Sequence, residues 1–216
     1  MKKNITLLLI LILFLTLALV QACHYPTITI QEQTISNKND DIQYPEIIGL
    51  NTKKQTYKIN KSIYEKTLNL KKELKKYKNY KKEYNYITRY KVTYHKNGIV
   101  SILLKQHLSI PALAHPINKL DALTFHAKFG TVFKLKHLFK FGYNYRAKIN
   151  KIVLETLEKK EIKLLKKFKG IEKNQDFYLT PDAIILCFQE YAYTNHSQGP
   201  LTISIPYKNL KNSFWL

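Results

Sequence analysis

The sequence predicts an α+β fold of antiparallel sheets and two long helices, in the order helix, meander, helix, hairpin. Three observations predict it. Ile63, Thr67, Leu70, Leu74 and Tyr77 recur at spacings of three and four, which is one stripe of a helix. Tyr84, Tyr86, Thr88, Tyr90, Val92 and Tyr94 then alternate with more polar residues, which is the period of a strand. Finally, each helical stretch is followed by a hairpin and not by a single strand, an order that favours antiparallel sheet over a parallel α/β arrangement.

Taken in order, the chain opens with an expected export signal over residues 1–22. Lys2 and Lys3 form a short positive start, and residues 5–20 are apolar and uncharged except for Thr6 and Thr16 as polar interruptions. That run is short for a membrane span, which needs roughly 20 apolar residues, and suits the apolar core of a signal peptide. Val20-Gln21-Ala22-Cys23 fits a small-residue cleavage pattern and also resembles the bacterial lipobox, with Gln21 an unusual occupant. Both readings cut after Ala22. The expectation is that Cys23 is lipidated and anchors the chain to the outer face of the cytoplasmic membrane; a secreted chain and an uncleaved anchor are the alternatives.

Residues 23–43 are polar, with weak alternation around Thr27-Ile28-Thr29-Ile30, and are expected to be a tether that joins a sheet at its end. Tyr44 to Leu50 reads as an extended entry turned by Gly49 and Asn51. A helix is expected over residues 60–82, capped by Asn60 or Ser62, with lysines on its far face. Asn97-Gly98 after the tyrosine strand is a two-residue hairpin signal, and Ile99 to Leu104 returns antiparallel. A third strand is expected over 120–129, a helical turn over 135–139, and a second long helix over 145–168. A hairpin turns at Pro181-Asp182, residues 201–205 form the last strand, and 207–210 a closing turn.

The charge limits the partners. The chain carries a formal +21, or +19 once Lys2 and Lys3 leave with the signal. A soluble chain of that charge would point to nucleic acid, but export removes nucleic acid as a routine partner. Outside the cell, lipid headgroups and acidic wall polymers are the anionic surfaces that draw a polycation. Part of the lysine excess is compositional, since Asn, Ile, Tyr and Phe are over-used with it. Cys187 lies in the apolar run 183–188 and reads as a small buried hydrophobe.

Catalytic chemistry finds little support. The 7 histidines include no H-x-x-x-H pair, and the chain has no Gly-x-Ser-x-Gly elbow and no phosphate loop. Acidic residues are scarce; Asp182 and Glu190 are the suggestive ones for a paired-carboxylate glycosidase. No cofactor and no metal are expected. His115 and His196 are singled out because both lie in loops between strands, where binding residues concentrate. The tyrosine strand is expected to bury its aromatic face, the alternative being a sugar-stacking platform.

Three ordered segments resemble the C-terminal half of the DUF3298 type of extracellular domain: Phe177-Tyr178-Leu179-Thr180-Pro181-Asp182, Ile184 to Tyr191, and Gly199-Pro200 with Ile205-Pro206-Tyr207. Leu135-Lys136-His137-Leu138-Phe139 resembles that family's short turn. The lysine-rich helix and tyrosine strand look like the companion DUF4163 type. The implied division is 44–118 for the DUF4163-like part and 119–216 for the DUF3298-like part. Relatives with this pair include a lysozyme-binding anti-sigma factor and a peptidoglycan deacetylase with a separate catalytic domain. Only Met1 to Asn4 precede the apolar run here, and no set of deacetylase ligands is present. Ala112-Leu113-Ala114-His115 stands where the family has Gly-Gly-Ala-His, and Asn195-His196-Ser197-Gln198 departs from the usual stretch before Gly-Pro.

The resulting expectation is a non-catalytic binding module at the bacterial envelope. Its partners are wall glycan or anionic wall polymer, with a lysozyme-like protein as the alternative ligand and a wall-sugar-modifying enzyme as the third reading. The ligand-binding candidates are His115, Glu190, Tyr191 and His196.

Overall fold

A computed structural model describes residues 25–77, 79, 83–210 and 213–214. The expected signal and Cys23 lie outside these residues. The described chain forms two sheets, almost wholly antiparallel, and two α-helices, as the α+β expectation requires. The first sheet has six strands in chain order: β1 (Thr29–Ser36), β2 (Asp40–Ile48), β3 (Asn85–Lys96), β4 (Ile99–Ser109), β5 (Ile117–His126) and β6 (Thr131–Val132). The second has three: β7 (Phe177–Leu179), β8 (Ala183–Phe188) and β9 (Leu201–Pro206).

Most of the expected tether belongs to this sheet. β1 pairs with β2 along its length, from Thr29 opposite Ile48 to Ser36 opposite Asp41. One parallel pairing interrupts the antiparallel order, Asp40–Ile42 of β2 beside Tyr86–Thr88 of β3. Helix α1 (Lys53–Thr67) makes the crossover between these two strands. It begins earlier than the lysine pattern indicates. Thr52 caps it, accepting the Gln55 amide while the Gln55 side chain accepts the Thr52 amide, each at 3.2 Å. Ile59, Ile63 and Thr67 are its buried stripe. The helix stops at Thr67, and Leu70–Lys76 tightens into a 3₁₀ segment that buries Leu70 and Leu74.

The Asn97-Gly98 turn joins β3 and β4, with both residues at positive φ (53° and 70°), the geometry that matches strand twist. The tyrosine face is largely packed inward. Tyr86 is fully buried, and Tyr84, Tyr90 and Tyr94 are half-buried against the cores. β5 begins at Ile117, so the boundary expected between 118 and 119 falls inside a strand of the six-stranded sheet.

Helix α2 (Tyr145–Lys159) is capped by Asn144 and buries Ile149, Ile152, Val153 and Leu157. It ends nine residues before the expected Phe168. Glu161 adopts φ 50°, and the Ile162 amide turns back to the Leu157 carbonyl at 3.0 Å. The segment beyond is held by tertiary contacts: the Leu165 amide donates to the Tyr193 carbonyl, and Phe168 meets Phe188 edge-on. This helix and the second sheet share one core, joined by Leu135, Leu138 and Phe139 of the short turn that the sequence indicated. No helix among the described residues is long and apolar enough to cross a membrane.

Candidate functional site

All four candidate residues come together where the loop after β8 folds over the start of β5. Glu190 follows β8, and its carboxylate is 2 % exposed. Asn118, the second residue of β5, holds it twice, donating its side-chain amide to Oε1 at 2.8 Å and its backbone N–H to Oε2 at 3.2 Å. His107, opposite on β4, places its Nδ1 2.9 Å from Asn118 Oδ1 and so fixes that side chain. The neighbouring Gln189 reinforces the junction. Its amide donates to the Leu120 carbonyl at 2.6 Å and accepts the Leu120 N–H at 3.1 Å, as one more strand residue would.

His196 stands on the other side of the carboxylate, its Nδ1 3.5 Å from Glu190 Oε2. That nitrogen is buried and has no hydrogen-bond partner among the described residues. His115, exposed in the loop before β5, stacks on His196 with ring centroids 4.7 Å apart and planes 13° from parallel. Two loops of remote sequence thus meet ring to ring above a carboxylate.

The loop from 189 to 199 is built to hold this pose. Tyr191 sits at φ 61°, a conformation that is uncommon for a bulky residue, and the residue is 59 % exposed. Its N–H donates to the Thr194 carbonyl, and the Thr194 hydroxyl donates to the Gly199 carbonyl at 2.6 Å. Asn195 and Gln198 cap each other around a single 3₁₀ turn, His196–Gln198. The result is an open cleft of about 230 Å³ flanked by Leu70, Glu73, Lys119, Glu190 and Tyr191. It offers carboxylates, one ammonium and an exposed aromatic face. Such a surface suits a ligand with hydroxyl or amide donors and an apolar ring face.

Other expected features are placed elsewhere. Cys187 is buried, and burial first, then the charges of Asp176 and Asp121, pushes its thiol up to about 12, in keeping with a structural role. Asp182 lies exposed in the β7–β8 turn, at the other end of β8 from Glu190, and makes no ion pair among the described residues. No group of three or more His, Cys, Asp or Glu side chains among the described residues is placed to hold a metal ion. Asn118 and Gln189 escaped the sequence reading, because each acts across about 70 residues (72 and 69) and carries no local motif.

The comparisons with known proteins agree with the resemblance. Residues 136–208 match the family described as DUF3298, a protein of unknown function, and the matched segment carries Glu190, Tyr191 and His196. Among solved structures, the chain is similar to a DUF3298 family protein from Pseudomonas aeruginosa PAO1, with a TM-score of 0.62, 11 % identity, and 89 % of this chain and 96 % of that one covered. A DUF3298 family member from Bacteroides fragilis NCTC 9343 is similar too, with a TM-score of 0.57, 13 % identity, and 88 % and 94 % covered. At such identities the likeness is one of fold. No curated protein matches the chain in sequence.

Proposed function

We propose that the protein is an exported, lipid-anchored binding module, without catalytic activity, which recognises wall glycan at the bacterial envelope while its lysines draw it to anionic wall polymer. The observation that carries this reading is the meeting of His115, Glu190, Tyr191 and His196 at one place on the fold, beside an open cleft that Glu190 and Tyr191 line. The Glu190 carboxylate there is engaged by both donors of Asn118 and is therefore positioned to orient a ligand more than to exchange protons with one. The apolar run and Cys23 support the anchor and the outer-face location.

The test uses the full chain in detergent micelles and purified wall sacculi, with and without acidic polymer, over a salt series. Attraction to the polymer fades as salt shortens the Debye length from about 10 Å at 0.1 M. Glycan binding persists in salt, and Glu190→Gln combined with Tyr191→Ala lowers it about tenfold or more, at 1.4 kcal/mol per decade. Sacculi left unbound at every salt concentration would overturn the reading. A stable complex with lysozyme in place of wall would replace it with the protein-ligand alternative.

A further inference from the structure

A second groove lies away from the Glu190 cleft, between the exposed face of α1 and the β1–β2 hairpin. It encloses about 600 Å³ and is walled by Tyr44, Tyr57 and Tyr64. Tyr57 is 68 % exposed and Tyr64 42 %, and Tyr44 meets Tyr64 edge-on with centroids 5.7 Å apart. Burial, then Tyr64 and the Glu46 carboxylate, keeps the Tyr44 phenol above its ordinary value. Asn60 fixes the groove wall: its side chain accepts the Ile47 N–H at 2.8 Å and donates to the Ile47 carbonyl at 2.9 Å, clamping α1 to the strand.

The polar groups of this groove set it apart from the rest of the surface. Gln33 donates to Glu46 at 2.7 Å, and Glu65 and Lys61 flank the helix side. Two carboxylates and one ammonium make the lining locally acidic, on a chain whose overall charge is +21. An anionic polymer finds no complement here. A neutral, polyhydroxylated chain does: its hydroxyls meet carboxylate and amide acceptors, and the apolar faces of its sugar rings meet tyrosines. The spacing fits as well. Tyr57 and Tyr64 are seven residues apart, which at 1.5 Å per residue is roughly 10 Å along the helix, about the reach of a disaccharide unit.

We infer that this groove is a glycan subsite that takes an uncharged β-linked sugar chain of two or more rings, stacked on Tyr57 and Tyr64. The inference rests on the wall-glycan reading but assigns a different site, and the experiment separates the two. Calorimetric titration of the full chain in micelles uses the β-1,4-linked N-acetylglucosamine tetramer as probe. In a Glu190→Gln, Tyr191→Ala background the tetramer still binds, and its affinity changes little with salt. Adding Tyr57→Ala or Tyr64→Ala weakens it about tenfold, whereas Tyr57→Phe, which keeps the ring, retains it. Circular dichroism confirms that these surface variants fold. Tetramer binding that survives both tyrosine-to-alanine changes, or that vanishes with the Glu190 cleft alone, overturns the groove assignment while wall binding stands. An unaltered chain that binds neither sacculi nor tetramer overturns both.

Discussion

Two buried carboxylates act on the same strand, and they are used in opposite ways. Asp121, in the middle of β5, is 1 % exposed and surrounded on every side. Gln106 donates to it at 2.7 Å and Asn69 at 3.1 and 3.3 Å, while Lys66 and Lys119 stand 3.5 and 3.7 Å away. The other end of the Gln106 amide accepts the Leu70 N–H and the Tyr86 hydroxyl, both at 2.8 Å. That network ties the end of α1 and its 3₁₀ continuation to the sheet. Glu190, over the first residues of β5, is held by one residue and one histidine and borders an open cleft. The difference teaches that burial of an acid does not by itself mark a functional site. What sets Glu190 apart from Asp121 is the exposed Tyr191 and the paired histidine rings beside it.

The comparison breaks most easily at Asp121. Asp121→Ala leaves the Gln106 and Asn69 amides unpaired and strands Lys66 and Lys119 beside an apolar core. Removing one partner of a buried ion pair costs about 3–5 kcal/mol, and the partial exposure of both lysines places this site near the lower end. Urea denaturation measures it. A loss below about 1 kcal/mol would show that the network is not what holds α1 to the sheet.

Glu190→Gln sharpens the contrast with a smaller effect. One Asn118 donor keeps an acceptor and the other meets an amide N–H₂, so the expected loss is about 1–2 kcal/mol. The same variant weakens salt-resistant wall binding, which Asp121→Asn does not. If Glu190→Gln destabilises as strongly as Asp121→Ala and leaves wall binding intact, then Glu190 is a second structural acid and the distinction fails.

The two acids also differ in how far the sequence discloses them. Glu190 was legible because it follows an apolar strand, lies near a Gly-Pro turn and belongs to segments with a family likeness. His115 and His196 were legible as loop residues, but nothing in the sequence brings their rings together. Asp121 was illegible: its partners Asn69 and Gln106 lie 52 and 15 residues away, and a lone acid in an apolar strand has no periodicity to announce it. The fold shows the same division. Local chemistry disclosed the Asn97-Gly98 hairpin, the turn at 135–138 and the buried stripe of α2. Tertiary pairing decided the rest. β1 is a polar edge strand in which only Ile30, Gln33 and Ile35 are half-buried, so its sequence reads as a tether until β2 is beside it. The lysines beyond Thr67 prolong the helical pattern, whereas the docking of Leu70 and Leu74 and the capture of the Leu70 N–H by Gln106 wind that stretch more tightly.

A third acid near Asp121 gives the finest test of the contrast. Asp176, just before β7, is 36 % exposed and shares Lys66 with Asp121, at 3.5 Å from each. Burial raises its carboxyl above the ordinary value of 3.8; Lys66 opposes that shift and the Asp121 charge adds to it. A raised value means that the folded chain holds this proton more tightly than the unfolded one. The contribution to stability is therefore complete below pH 3.8 and is lost as pH rises through the folded value. At pH 7 the native state carries the cost of an ionised, half-desolvated carboxylate, and Asp176→Asn removes it. Solvent screening limits the gain to roughly 0.5 kcal/mol, and the gain disappears on acidification below about pH 4. Thermal unfolding of both chains from pH 3 to pH 7 measures this. A variant that is less stable than the parent at pH 7 would mean that Lys66 binds Asp176 as firmly as it binds Asp121, and the network would then extend to the second sheet.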